Sequence, residues 1–268
     1  MSFSKRIDQA RDAYSQKDIT ASAAAHTPER VAQAAKEEHG GTGSQYIGDL
    51  VYGALDGIIT TFAVVSGVAG AELGTSVILI MGMANLFADG FSMATGAYLS
   101  SKSEQEYYER EWQRETWEVE HFPEGERLEL VEIYRNQGYT DDDAEKLVEI
   151  QSRNPQRWVQ AMMVTELGLL PDERKPLLSG LATLLAFLLA GSIPLLIYVV
   201  GLFTSIAPDT SFPISIALSA VALFGLGAAK VIITRLNAFR SGLEMLIVGG
   251  LAASVAYIVG VLLKGIGG

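Results

Sequence analysis

The chain has 268 residues, no cysteine, 49% hydrophobic residues and a formal net charge of -11. The lack of cysteine excludes disulfides and thiolate metal sites. The acidity argues against nucleic acid as a partner and against capture of anionic lipid, and it favours cations.

Residues 1–45 are polar and Ala/Gln-rich, with no apolar stretch of the signal-peptide kind. Thr27-Pro28-Glu29-Arg30 has the form of a helix start, with Thr as cap and Pro at the first position. Gly40-Gly41-Thr42-Gly43 reads as a flexible break. The segment is expected to be a loosely held cytoplasmic arm with short helices.

Five windows are long and apolar enough to be membrane spans: 48–70, 75–100, 178–203, 212–233 and 243–263. The first two are richer in Gly, Ser and Thr, and each contains an Asp. Residues 1–47 hold six Lys/Arg and residues 102–176 hold ten, while the links at 71–75 and 204–211 hold none. By the positive-inside rule, the N-terminus and residues 102–176 face the cytoplasm and the C-terminus lies outside. Lys264, near that end, is read as snorkelling to the interface.

The second span has no stop signal. No proline occurs between Ala84 and His121, so one helix is predicted to run out of the bilayer to Phe122-Pro123. Three more helices follow. One spans 123–136 and stops before Gly138; one is capped by Thr140; one starts at Asn154-Pro155 and runs through Leu167. The domains are therefore 1–45 (arm), 46–101 (spans one and two), 102–176 (helical insert) and 177–268 (spans three to five).

The insert is the most acidic part, with 19 Asp/Glu against ten Lys/Arg. Residues three and four apart share a helix face. Glu111, Glu115 and Glu118 thus form one stripe, Glu126 and Glu129 pair on the next helix, and Met162 and Met163 each pair with Glu166. Carboxylates and thioethers together suit Fe(II) and its neighbours better than Ca(II) or Mg(II). The plainer reading is a solvated acidic face, with the two Met as core filler. Glu118-x-x-His121 is half of a ferritin-like di-iron motif, and its second half is missing.

In the membrane part, Asp56 lies several residues inside the first span, followed by Thr60 and Thr61. Asn85, Asp89 and Met93 make a single stripe on the second. Ionisable groups inside a span mark a pathway by default. Gly53-x-x-x-Gly57 is a packing signal, Pro194 predicts a kink, and Glu244 is read as an ion-pair partner of Arg235 or Arg240.

The runs Asp56-Gly57-Ile58-Ile59-Thr60-Thr61, Asn85-Leu86-x-Ala88-Asp89-Gly90-Phe91-Ser92-Met93, Met162-Met163-x-x-Glu166-Leu167-Gly168 and Ser241-Gly242-Leu243-Glu244-Met245 together resemble the vacuolar iron transporter family. The resemblance covers residues 46–264 and leaves out the arm. It implies an all-α membrane protein of five transmembrane helices, with a cytoplasmic helical metal-binding domain inserted between helices two and three. It also implies a homodimer that exports Fe(II), and often Mn(II), from the cytosol in exchange for protons. The metal ions are cargo rather than cofactors. By the same resemblance, Asp56 and Met93 belong to the translocation pathway. Glu115, Glu118, Glu126, Glu129, Met162, Met163 and Glu166 correspond to the ligands of the insert. The eukaryotic pattern carries a further carboxylate where this chain has Asn85, and Asp89 one turn on is the candidate to take its role. The host membrane is the plasma membrane for a bacterial member, the host favoured here, and the vacuolar membrane for a eukaryotic one.

The expectation is a proton-coupled divalent-metal exporter. The alternatives are a membrane-anchored iron-binding or ferroxidase protein without transport, and a sensor that signals through the arm.

Overall fold

The computed structural model describes residues 5–34, 44–204, 206, 208–230 and 237–265. The Gly40–Gly43 break and Arg235 lie outside them. The described residues are helical, with no strand among them. They divide into two compact units, residues 1–97 with 177–268, and residues 98–176.

The first unit begins with α1 (Lys5–Gln16), α2 (Ile19–Ala25) and α3 (Pro28–Ala34). Asp18 caps α2, accepting from the Thr20 and Ala21 amides at 2.9 and 3.0 Å. Ala13 and Ala25 are buried, and Arg30 of α3 donates to Gln9 of α1. Small buried residues and polar contacts such as Arg30–Gln9 hold this arm together, since it has few apolar side chains to bury.

Five helices are long and apolar enough to cross a membrane. They are α4 (Ile47–Gly70); α5 (Thr75–His121); α9 (Pro176–Gly191), prolonged by α10 (Leu196–Val200); α11 (Pro208–Ala229); and α12 (Ala238–Leu263). Helix α5 is unbroken and contributes to both units. Outward side chains are apolar: Leu189, Val221 and Leu262 are 72%, 73% and 75% exposed. Such a surface requires lipid rather than water around it.

Association of helices in lipid depends on close contact between small residues. A Cβ on Gly53 would stand 2.5 Å from the Thr183 carbonyl oxygen, and one on Gly57 equally close to that of Phe187. The Gly53-x-x-x-Gly57 pair is therefore the seam between α4 and α9. A similar crossing joins Gly67 of α4 to Gly260 of α12. Around these seams Val65, Ile78, Leu86, Phe187, Leu195 and Tyr198 form a buried core, with Met93 against its edge.

Pro194 breaks the third span as expected. Helix α9 stops at Gly191, a 3-10 turn covers Ile193–Leu195, and α10 resumes. Proline has no N–H to continue the ladder, and the Pro194 carbonyl accepts from the Ser215 hydroxyl at 2.7 Å instead. Lys264 pairs with Glu72, in the link between α4 and α5, rather than merely snorkelling. Arg240 and Glu244 make no ion pair among the described residues.

The second unit contains residues 98–121 of α5 with α6 (Pro123–Asn136), α7 (Asp141–Ser152) and α8 (Pro155–Thr165). Thr140 caps α7 and Asn154 caps α8, accepting from the Asp143 and Arg157 amides. Gly138, at φ 98°, follows α6 in a conformation that side chains disfavour. The core consists of Val119, Leu130, Val131, Tyr134, Ala144, Val148, Trp158, Val159, Met162 and Met163. The returning chain is tied to α5 by Gln105, which donates to the Asp172 carbonyl at 3.2 Å, and by the Arg174–Glu104 ion pair at 2.9 Å.

Candidate metal sites

In the second unit, α5 places Glu111, Glu115 and Glu118 on one stripe. Glu115 is wholly buried, while Glu111 and Glu118 are half-buried. Glu126 is buried in the first turn of α6, and Glu129 lies exposed one turn on. Glu166 is the C-cap of α8, its amide bonded to the Met162 carbonyl at 2.9 Å.

The carboxylates sense one another. Burial, then the charge of Glu166, pushes Glu115 from 4.5 to about 7; Arg114 opposes this, and Glu126 and Glu118 add to it. Burial, then Glu118, Glu129 and Glu166, pushes Glu126 up to about 7 as well. Glu166 is raised too, mainly by burial and by Glu129. One oxygen of Glu115 and one of Glu126 (Oε2 in each) are buried without a hydrogen-bond partner. Orphaned carboxylate oxygens are costly unless a cation or a proton satisfies them.

Sequence reasoning about acids passed over Arg114. Its Nε donates to Glu111 at 2.8 Å, Nη2 to Glu115 at 2.5 Å and Nη1 to Glu118. The signal was present, because Arg114 stands three residues after Glu111 and four before Glu118. With the carboxylates arranged this way, no three His, Asp or Glu among the described residues are set to hold one ion.

Met162 and Met163 are both fully buried in the core of the unit. His121 is engaged elsewhere: its Nδ1 lies 2.8 Å from the Trp117 carbonyl and its ring stacks on Trp117 at 4.5 Å. The half di-iron motif is therefore not assembled.

In the first unit, Asp56 and Asp89 are half-buried. The Thr60 hydroxyl bonds the Asp56 backbone carbonyl at 2.8 Å and leaves the carboxylate alone. The Asn85 Nδ2 and Thr61 hydroxyl are buried without a partner. Thus α4 and α5, the two helices the sequence singled out, each carry one half-buried carboxylate, Asp56 and Asp89.

Fold and sites together define a class: an all-helical, five-span protein with carboxylates inside its apolar helices and an acid-rich helical unit between its second and third spans. The chain belongs to the VIT family, whose profile matches residues 47–261. It is 40% identical to the vacuolar iron transporter of Toxoplasma gondii over 267 residues, covering 96% of this chain and 88% of that protein. It is 35% identical to the vacuolar iron transporter of Plasmodium falciparum, covering 97% of each. It is also 35% identical to vacuolar iron transporter 1 of Arabidopsis thaliana, covering 81% of this chain and 85% of that protein. These relatives are eukaryotic and lend nothing to the expected bacterial host.

Proposed function

We propose that this chain is a divalent-metal transporter that exports Fe(II), with Mn(II) as a second substrate, from the cytoplasm in exchange for protons. The relatives named above carry iron transport in their names. The observation that carries the reading is the presence of Asp56 and Asp89 inside two apolar helices. A membrane anchor has no need of two carboxylates there, and they are expensive unless they serve a cation.

In this reading residues 102–176 are cytoplasmic and collect metal. Their negative field raises the local cation concentration, and Glu115, Glu118, Glu126, Glu129 and Glu166 supply oxygen ligands. Met162 and Met163 add thioethers once their packing relaxes. The ion then passes along Asp56, Asp89 and Met93, with Asn85 on the same stripe. Protonation of the two Asp on the far side releases the ion. Two copies assemble as a homodimer in a vacuolar membrane, the setting the relatives' names favour, or in a plasma membrane.

Proteoliposomes containing a metal-sensitive dye test the core of this. Fe(II) entry should accelerate when protons run the opposite way, and Asp56→Ala should abolish it. Wild-type transport by Asp56→Ala would overturn the pathway.

A further inference from the structure

The carboxylate cluster of the second unit already holds a cation of its own. Three nitrogens of the Arg114 guanidinium donate to three different carboxylates, those of Glu111, Glu115 and Glu118. A planar fork on several carboxylates is the strong geometry for an arginine. Its charge also reaches Glu126 and Glu166. Glu115 is completely buried, yet the Arg114 side chain is 40% exposed, so the arginine enters from the solvent side. It leaves the inner oxygens of Glu115 and Glu126 unpartnered. The arrangement is half-satisfied: Oε1 of Glu115 goes to the guanidinium, and Oε2 of Glu115 and of Glu126 have no partner.

A divalent ion drawn to the unpartnered oxygens meets a positive guanidinium on the same carboxylates, and it can take their remaining oxygens only by displacing it. An arginine on a flexible stem that is partly in water can swing aside without disturbing the core. We propose that Arg114 is a built-in competitor of the cargo, which occupies Glu111, Glu115 and Glu118 in the metal-free protein and is displaced when a divalent ion binds. This rests on the reading that Glu115 and Glu118, two of the three carboxylates it occupies, hold the metal.

The competitor has two consequences. It offsets the mutual repulsion of the clustered Glu while no metal is present. It also sets a threshold for entry. Mg(II) sheds its water reluctantly and lies outside the transition-metal affinity series on which Fe(II) stands above Mn(II). Expelling the guanidinium costs the same for every divalent ion, so it lowers all affinities alike, and the weaker-binding Mg(II) is the ion it puts out of reach.

Titration of the full chain in detergent with Mn(II), which is stable in air, tests this. Arg114→Gln should bind Mn(II) on the order of tenfold more tightly, the loss of roughly one screened charge beside the site. Mg(II) binding should tighten by a similar factor, and the metal-free variant should melt earlier than wild type, with Mn(II) removing the difference. Arg114→Lys keeps the charge without the fork and should bind Mn(II) with intermediate affinity. If Arg114→Gln does not fold, Arg114→Lys decides alone. Unchanged or weaker Mn(II) binding by the folded variant overturns the proposal and leaves Arg114 as a strut or a ligand-positioning residue. Failure of the underlying reading looks different: the double variant Glu115→Gln/Glu126→Gln would then bind Mn(II) as wild type does, and both ideas would fall.

Discussion

Glu115 and Glu126 are the residues on which chemistry and stability meet. Both carboxyls are raised from 4.5 to about 7, chiefly by burial. An acid whose pKa is raised on folding holds more protons in the folded than in the unfolded state between those two values. The contribution of Glu115 and Glu126 to metal-free stability is therefore greatest below about pH 4.5, declines as pH rises, and levels off above about pH 7. Glu115→Gln/Glu126→Gln should flatten this decline and melt above wild type at pH 8, as thermal unfolding across pH would show. Metal reverses the sign. A cation requires the deprotonated carboxylates, so Mn(II) affinity should rise steeply from pH 5.5 to 7.5. Calorimetry in buffers of different ionisation enthalpy should register protons released at pH 6 and almost none at pH 8. Affinity independent of pH over that range would mean that neither carboxylate touches the ion.

Among elements, the crossing of α4 with α9 depends on a missing side chain. A Cβ at Gly57 would press on the Phe187 backbone carbonyl, which cannot rotate away. Gly57→Ala should cost about 1–3 kcal/mol by forcing the helices apart, read as earlier melting in detergent. Gly96 of α5, with nothing within 4 Å of a built Cβ, is the control: Gly96→Ala should be neutral or slightly stabilising, because Ala is the better helix former. Equal losses at both positions would refute the seam. The spans themselves were legible in the sequence, because nearly every residue of a lipid-facing helix must be apolar. The unbroken α5, the Thr140 and Asn154 caps and the Pro194 break were legible for equally local reasons. The partner of each glycine was not, since Gly53 and Gly57 say that something comes close but not that it is Thr183 and Phe187. The burial of Met162 and Met163 matches the plainer reading of the two as core filler, although which helices close around them was not legible. Arg114 was overlooked because acids in a row drew attention to one sign of charge, although its spacing to Glu111 and Glu118 stood in the sequence.

At the level of the whole molecule, the two groups of carboxylates differ in kind, and kinetics can separate them. The cluster around Glu115 and Glu126 belongs to a folded unit with its own hydrophobic core. Asp56 and Asp89 belong to helices long and apolar enough to cross a membrane, of which α4 packs on α9 and α12. If the first collects and the second conducts, each defect has its own signature. Glu115→Gln/Glu126→Gln should raise the half-saturating Fe(II) concentration of transport about tenfold or more while leaving the maximal rate near wild type, since a saturated collector is no longer limiting. Asp56→Asn keeps the shape of the side chain but removes its charge and its proton. It should collapse the maximal rate and leave Mn(II) affinity of the cluster unchanged by titration. Sites without shared partners give additive free energies, so the triple variant should show both defects multiplied. A triple variant no worse than Asp56→Asn alone at low Fe(II) would mean that the cluster does not feed the pathway, and that its acids serve the metal in some way other than delivery.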